Sequence, residues 1–136
     1  MHADIDREYG LLIGGKWVDG TAGKKIPTVC PANGEVLSHF VEASAEDVDL
    51  AIKAAWSAFE IWKNTSLAER SRLLLKIADL IEKDSKRLAM IETLDSGKPI
   101  RDTTEGDLPR VVDMFRYFAS VIRAEEGGAT YLDHQT

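Results

Sequence analysis

Glu92-Thr93-Leu94-Asp95-Ser96-Gly97-Lys98-Pro99-Ile100 decides how this chain is organised. It closes a run of helical periodicity in which Leu88, Ile91 and Leu94 share one face. Gly97 stands where a helix ends in the left-handed conformation, and Pro99 prevents resumption just beyond it. Asp95 therefore falls in the last turn, where the partial negative charge of the helix end disfavours a carboxylate. A carboxylate there is relieved by a cation, by clustered donors or by water. Spacing alone leaves two readings of Asp95 open: a solvated corner, or an oxygen ligand acting with free backbone carbonyls on a cation.

Upstream of this corner the chain is helical back to Ser44. Ser44-Ala45-Glu46-Asp47 resembles a capping box with Asp in the Glu position. Val48, Ile52, Ala55, Phe59 and Trp62 follow at steps of four and three, one face of an amphipathic helix. Asn64-Thr65 interrupts it. Ser66-Leu67-Ala68-Glu69 predicts a full capping box for a second helix, with Leu67, Leu74, Ile77 and Ile81 inward and Leu73 and Leu80 widening the stripe. Asp84 or Ser85 caps the third, which runs into the opening stretch.

The part before Ser44 has strand and turn character. Residues 1–10 are polar and expected to form a tail. Leu11-Leu12-Ile13, Gly14-Gly15 and Lys16-Trp17-Val18 predict a hairpin whose glycines supply the positive φ angles of a type I′ turn. Strands are expected again from Ile26 to Cys30 and from Val36 to Phe40, with Pro31-Ala32-Asn33-Gly34 as the turn. Downstream, Arg101 to Gly106 is a helical turn or a loop. Asp107-Leu108-Pro109 looks like a cap with proline in the first turn of a fourth helix. That helix carries Val111, Phe115, Phe118 and Ile122 on one face and ends at Gly127-Gly128. Gln135-Thr136 has no turn or capping logic and gives the impression of a cut.

The 136 residues suffice for one domain with a core, and 44% hydrophobic with 29% charged residues is the balance of a globular protein. Seventeen Lys and Arg against 23 Asp and Glu leave a net charge of -6, which argues against nucleic acid and anionic membrane as partners. No window approaches the roughly 18–20 apolar residues of a membrane span. The acidic start, Met1 to Asp6, is unlike a signal peptide. A single cysteine excludes an internal disulfide and points to the cytoplasm.

Few residues suggest chemistry. Cys30 precedes a turn proline with no histidine nearby, so structure outweighs nucleophilicity as its role. His2, His39 and His134 lack the spacing of zinc ligands. No glycine-rich phosphate loop follows a strand. Asp102, Glu105 and Asp107 form a local acidic group better explained as a solvated face. Trp17, Trp56 and Trp62 are expected to pack in the core or between elements.

From about Leu11 to Gly128 the chain resembles the N-terminal region of the aldehyde dehydrogenase superfamily. Gly14 to Val18 is similar to its opening hairpin, and Val29 to Val36 (Val-Cys-Pro-Ala-Asn-Gly-Glu-Val) to its Asn-Pro-x-x-Gly-Glu turn. Asp47-Val48-Asp49 leading to Ala54-Ala55, Ala58-Phe59 and Trp62 is similar to the first long helix. Glu69-Arg70, Leu73-Leu74, Ile77-Ala78-Asp79 and Ile81-Glu82 are similar to the second. Glu92 to Pro99 resembles the Glu-Thr-Leu-Asp-x-Gly-Lys-Pro signature, and Phe115-Arg116-Tyr117-Phe118-Ala119 the helix after it. Six matches in order are specific. One departure is Cys30, where the family usually has Asn; a thiol bonds backbone feebly, so this turn is expected to rely more on packing.

The resemblance implies an α/β fold, the N-terminal part of a Rossmann-like coenzyme-binding domain: a tail at 1–10, then two β-hairpins followed by four main helices over 11–136. Those helices would cover a parallel sheet formed mainly by residues outside the chain. It implies oxidation of an aldehyde to a carboxylic acid with NAD or NADP, in a homodimer or homotetramer. The family's catalytic cysteine, glutamate, oxyanion-hole asparagine and coenzyme loops match positions beyond residue 136. No catalytic or cofactor-binding residue is therefore assigned here, and the chain alone is expected to be inactive. Some members hold a structural sodium or potassium ion; the matching positions are the backbone carbonyls of Thr28 and Val29 with Asp95. The competing expectation is a stand-alone, non-catalytic helical interaction module derived from this segment. Exposed apolar stripes along Val48-Ile52-Phe59 and Leu73-Leu80 would favour the fragment.

Overall fold

The computed structural model describes Ile5 and residues 8–124. Strand β1 (Glu8–Tyr9) lies where a polar tail was expected. It pairs parallel with a later strand, Glu8 opposite His39 and Tyr9 opposite Phe40, and Glu8 accepts a hydrogen bond from Lys25 Nζ at 2.6 Å. A two-residue strand is too short to show alternation, which is why composition hid it. β2 (Leu11–Ile13) and β3 (Lys16–Val18) form the expected antiparallel hairpin, with φ of 59° at Gly14 and 78° at Gly15. β4 (Lys25–Val29) and β5 (Val36–Val41) pair antiparallel, and β5 lies between β1 and β4 in a three-stranded sheet. The register shifts between Thr28 and Val29, which face Ser38 and Val36 and leave Leu37 as the extra residue of a bulge.

α1 (Ala45–Trp62) begins with the capping box that its sequence announces. Asp47 N–H donates to Ser44 Oγ at 3.1 Å, and Ser44 N–H donates to Asp47 Oδ2 at 2.9 Å. α1 ends where Arg70, from the next helix, donates through Nη2 to the carbonyls of Trp62 at 2.9 Å and Lys63 at 3.2 Å. Its guanidinium also lies 5.3 Å from the Trp62 ring centre. Those bonds satisfy carbonyls that the helix itself leaves free.

The core seam lies between α2 (Leu67–Lys83) and α5 (Leu108–Val121), which run antiparallel. Its buried members are small: Ser71 and Ala78 on α2, and Val112 and Ala119 with Leu108 on α5. Ser71 Oγ donates to Ala119 O at 2.7 Å, a buried bond worth about 0.5–1.5 kcal/mol net. The sequence pattern placed Val111, Phe115, Phe118 and Ile122 inward. The helix is rotated so that Val111 and Phe118 are exposed, because small Ala119, not an aromatic ring, permits close approach to Ser71. Leu67, Ile77 and Leu80 of α2 are likewise exposed, while Leu73, Leu74 and Ile81 are half-buried. Ser66 accepts from Glu69 N–H as predicted, but the box is half-formed: the Glu69 carboxylate turns to Arg72 Nε at 2.9 Å.

α3 (Ser85–Ser96) packs its half-buried Leu88, Ile91 and Leu94 inward and buries Ala89. Asp84 stands before it but makes no side-chain cap, its carboxylate being taken by Arg87 Nε at 2.9 Å. Beyond Pro99 the chain is helical throughout the stretch that sequence left undecided. α4 (Ile100–Asp102) leads into a π-helical turn, Thr103–Asp107, and directly into α5. Asp107 is helical and makes no cap. Leu108 N–H donates to Thr103 O, the widened spacing of a π turn. Pro109 explains the widening: it has no N–H for an ordinary helical bond, and its ring would press on the preceding turn. The predicted helix stop at Gly127-Gly128 lies outside the described residues.

The tryptophans do not pack as expected. Trp17 is 66% and Trp56 65% exposed, and Trp62 is also exposed. Trp56 and Trp62, with Val48, Ile52 and Phe59, leave α1 with an uncovered apolar face. Trp56 and Phe59 meet edge to face there, ring centres 5.8 Å apart.

Candidate functional site

The corner that ends α3 meets the turn between β4 and β5. Gly97 adopts φ 76°, its N–H donates to Thr93 O at 2.9 Å, and a Cβ built on it would lie 3.0 Å from Pro31 Cγ. The positive φ favours glycine, and the close approach of Pro31 leaves little room for a side chain. Pro31 follows Thr28-Val29-Cys30, so the fold brings the two sequence-distant parts of the candidate cation site to neighbouring segments. Thr28 is half-buried, while Val29 and Asp95 are exposed. The donors at these positions are all oxygens, which suits a hard cation such as sodium or potassium. Among the described residues no group of three or more His, Cys, Asp and Glu could hold a metal ion.

The turn itself is held by backbone. Cys30 N–H donates to Glu35 O and Gly34 N–H to Cys30 O, each at 2.8 Å. Asn33 adds a side-chain bond: Glu35 N–H donates to Asn33 Oδ1 at 3.0 Å. Cys30 is a buried free thiol. Its burial is what a structural role predicts.

On the other side of the corner, Thr93 and Thr103 hydroxyls meet at 2.9 Å, and Thr103 Oγ1 lies 3.0 Å from Ile100 O. Thr103 is fully buried at 0%. It ties α3 to the π turn, a role with no periodic signal in sequence. Lys98 Nζ donates to Asp107 Oδ2 at 2.8 Å, and this bond holds the lysine pKa above its ordinary value. Asp102 pairs instead with Arg101 at 3.3 Å, so the acidic residues of this stretch do not converge on one point.

Asp47 is a buried carboxylate, only 3% exposed. Besides its capping bonds it accepts from Thr21 N–H at 3.0 Å and Thr21 Oγ1 at 3.2 Å. The Thr21 and Ser44 backbone N–H groups, in that order, hold its pKa below the ordinary aspartate value against the opposing cost of burial. It ties the loop after β3 to α1 and reaches no reacting group.

A groove of about 450 Å³ lies between the end of α2 and the start of α5, lined by Glu82, Ser85, Leu108, Val112, Asp113 and Arg116. Arg116 is already engaged, donating to Glu82 Oε2 at 2.7 Å and Asp79 Oδ1 at 3.2 Å. These exposed pairs raise the guanidinium pKa but add little stability. Nothing in the groove pairs a nucleophile with a base.

A family profile described as "Aldehyde dehydrogenase family" matches residues 17–135. An aldehyde dehydrogenase of Deinococcus radiodurans is 45% identical over 130 residues, 96% of this chain but 25% of the relative. The crystal structure of PnpE from Pseudomonas sp. WBC-3 superposes with a TM-score of 0.86 at 43% identity, covering 93% of this chain and 26% of that one. A Bacillus cereus aldehyde dehydrogenase in complex with NAD+ gives 0.86 at 38% identity, covering 93% and 26%. The chain thus spans about a quarter of the length of the relatives it matches.

Proposed function

We propose, from the premise that the chain belongs to the aldehyde dehydrogenase family, that it supplies the outer scaffold of a coenzyme-binding domain in an enzyme oxidising an aldehyde to a carboxylic acid. NAD or NADP would accept the hydride in that reaction. No residue of this chain is assigned to the coenzyme or to the covalent steps, which fall to the three quarters of such an enzyme outside it. The observation that carries this reading is the uncovered face of α1. Val48, Ile52, Trp56 and Phe59 lie at helical spacing and all are exposed. A free-standing module would close that face on its own core, whereas a scaffold segment keeps it for the remainder of its domain.

The chain's own residues hold geometry. Asp47 fixes where α1 starts, Arg70 where it stops, and Gly97 the approach of α3 to the β4–β5 turn. At that corner the backbone carbonyls of Thr28 and Val29, with Asp95, would hold a sodium or potassium ion together with a ligand from outside the chain. The ion would offset the charge that Asp95 brings to the negative end of α3. The complete enzyme would be a cytoplasmic homodimer or homotetramer. Purified 136-residue chain, incubated with an aldehyde and NAD or NADP, is expected to form no NADH or NADPH. Turnover that co-purifies with the chain would refute the scaffold role.

A further inference from the structure

Asn33 and Gly34 stand exposed at the tip of the turn between β4 and β5. A Cβ built on Gly34 would meet nothing within 4 Å, so the space around its backbone nitrogen is open on the side where a side chain would stand. Glu35 N–H donates to Asn33 Oδ1 at 3.0 Å, drawing electron density from the side-chain amide carbon. Two contacts oppose attack: Gly34 N–H donates to Cys30 O at 2.8 Å, and Asn33 Nδ2 donates to Glu35 Oε2 at 2.9 Å. Both bonds belong to an exposed turn, where local opening is among the least costly motions of a fold. The chain's other asparagine, Asn64, is followed by β-branched Thr65, and its amide donates to Glu60 O at 3.0 Å.

We infer that Asn33–Gly34 is a site of spontaneous covalent modification, at which aspartate and isoaspartate form in place of Asn33 in the folded chain. The Gly34 nitrogen forms a bond to Asn33 Cγ, the Cγ–Nδ2 bond breaks, and ammonia leaves carrying the Gly34 proton. Water then opens the cyclic imide at either carbonyl, giving aspartate when the new Cγ–N bond breaks and isoaspartate when the original peptide C–N bond breaks. No electrons are transferred and water is the only co-reactant. The product places a carboxylate where Asn33 Nδ2 donates to Glu35 Oε2 at 2.9 Å, replacing attraction by repulsion. Isoaspartate also adds a methylene to the backbone inside the Cys30–Glu35 clasp. The turn that seats Pro31 against Gly97 loosens in consequence.

The test is timed peptide mapping of the 136-residue chain kept folded at physiological pH and temperature. The peptide containing Asn33 should gain the mass of amide-to-acid exchange, resolve into two isomers, and convert several-fold faster than the peptide containing Asn64. Asn33→Gln should abolish the signal at this position, since the longer side chain closes the ring poorly. An Asn33 peptide that converts no faster than the Asn64 peptide would overturn the inference. So would conversion confined to chain unfolded in urea, because the Cys30 bond would then protect the site.

Discussion

Ile52→Gln probes the uncovered face of α1 directly. Ile52 is 53% exposed, beside Ala55, Trp56 and Phe59 in a shallow apolar depression. Full burial of such a side chain is worth about 1.5–3 kcal/mol, and roughly half of it is realised here, so the loss at stake is ~1 kcal/mol. Glutamine is the better helix former by about 0.2–0.4 kcal/mol, which offsets part of that loss. The isolated chain should therefore keep its far-UV circular dichroism, and its binding of a dye for apolar surface should fall. Placed in a chimaera of the Deinococcus radiodurans relative that carries this segment, the same substitution should cost ~2–5 kcal/mol, the range for disrupting a covered side chain. That difference would appear as a lowered thermal midpoint. Ala119→Leu supplies the contrast within the isolated chain, since overpacking the α2–α5 seam costs ~1–3 kcal/mol and should reduce the helical signal. If Ile52→Gln lowers that signal as far as Ala119→Leu does, α1 is already packed on its own chain and the reasoning fails.

Two further outcomes follow from the carboxylates. Asp47 has a folded pKa held below its unfolded value, so its stabilising contribution is complete above the unfolded value and disappears as pH falls through the depressed one. Exchange of the Thr21 amide proton, followed by NMR, should show protection persisting from neutral pH into the acid range below about pH 4 before it is lost. Asp47→Asn should weaken that protection at neutral pH and flatten the acid limb; an unchanged profile would remove Asp47 from its tie. For the cation corner, the thermal midpoint of the chimaera should be higher in sodium or potassium chloride than in choline chloride at equal ionic strength. Asp95→Asn should erase that preference, and a midpoint blind to the cation would exclude the site.

Much of the fold was legible wherever its cause lay within a few residues. Ser44 and Asp47 cap each other across three positions, Gly14-Gly15 can hardly form anything but a tight turn, and Gly97 before Pro99 stops a helix locally. What escaped depended on partners distant in sequence. Thr21 reaches Asp47 across 26 residues, and the Ser71–Ala119 bond spans 48. That bond rotates α5 away from the face its aromatic residues suggest. Glu69 had two partners available and took Arg72 over the cap. The π turn is hidden because Pro109 carries the local signal of a helix start, although its effect extends back through Asp107 to Thr103. For the candidate site, the positions Thr28, Val29 and Asp95 came from resemblance rather than spacing. The contact of Gly97 with Pro31, which joins their two segments, has no trace in local sequence.

The scaffold role is tested most directly by activity in the chimaera itself. The matched N-terminal segment of the Deinococcus radiodurans relative, 45% identical over 130 residues, would be replaced by this chain. NADH formation from aldehyde and NAD would then be followed by its absorbance. The account predicts a chimaera that turns over, because the exchanged segment supplies shape and no reacting group. A chimaera that forms no NADH, whether it folds and binds NAD or fails to assemble, would contradict it.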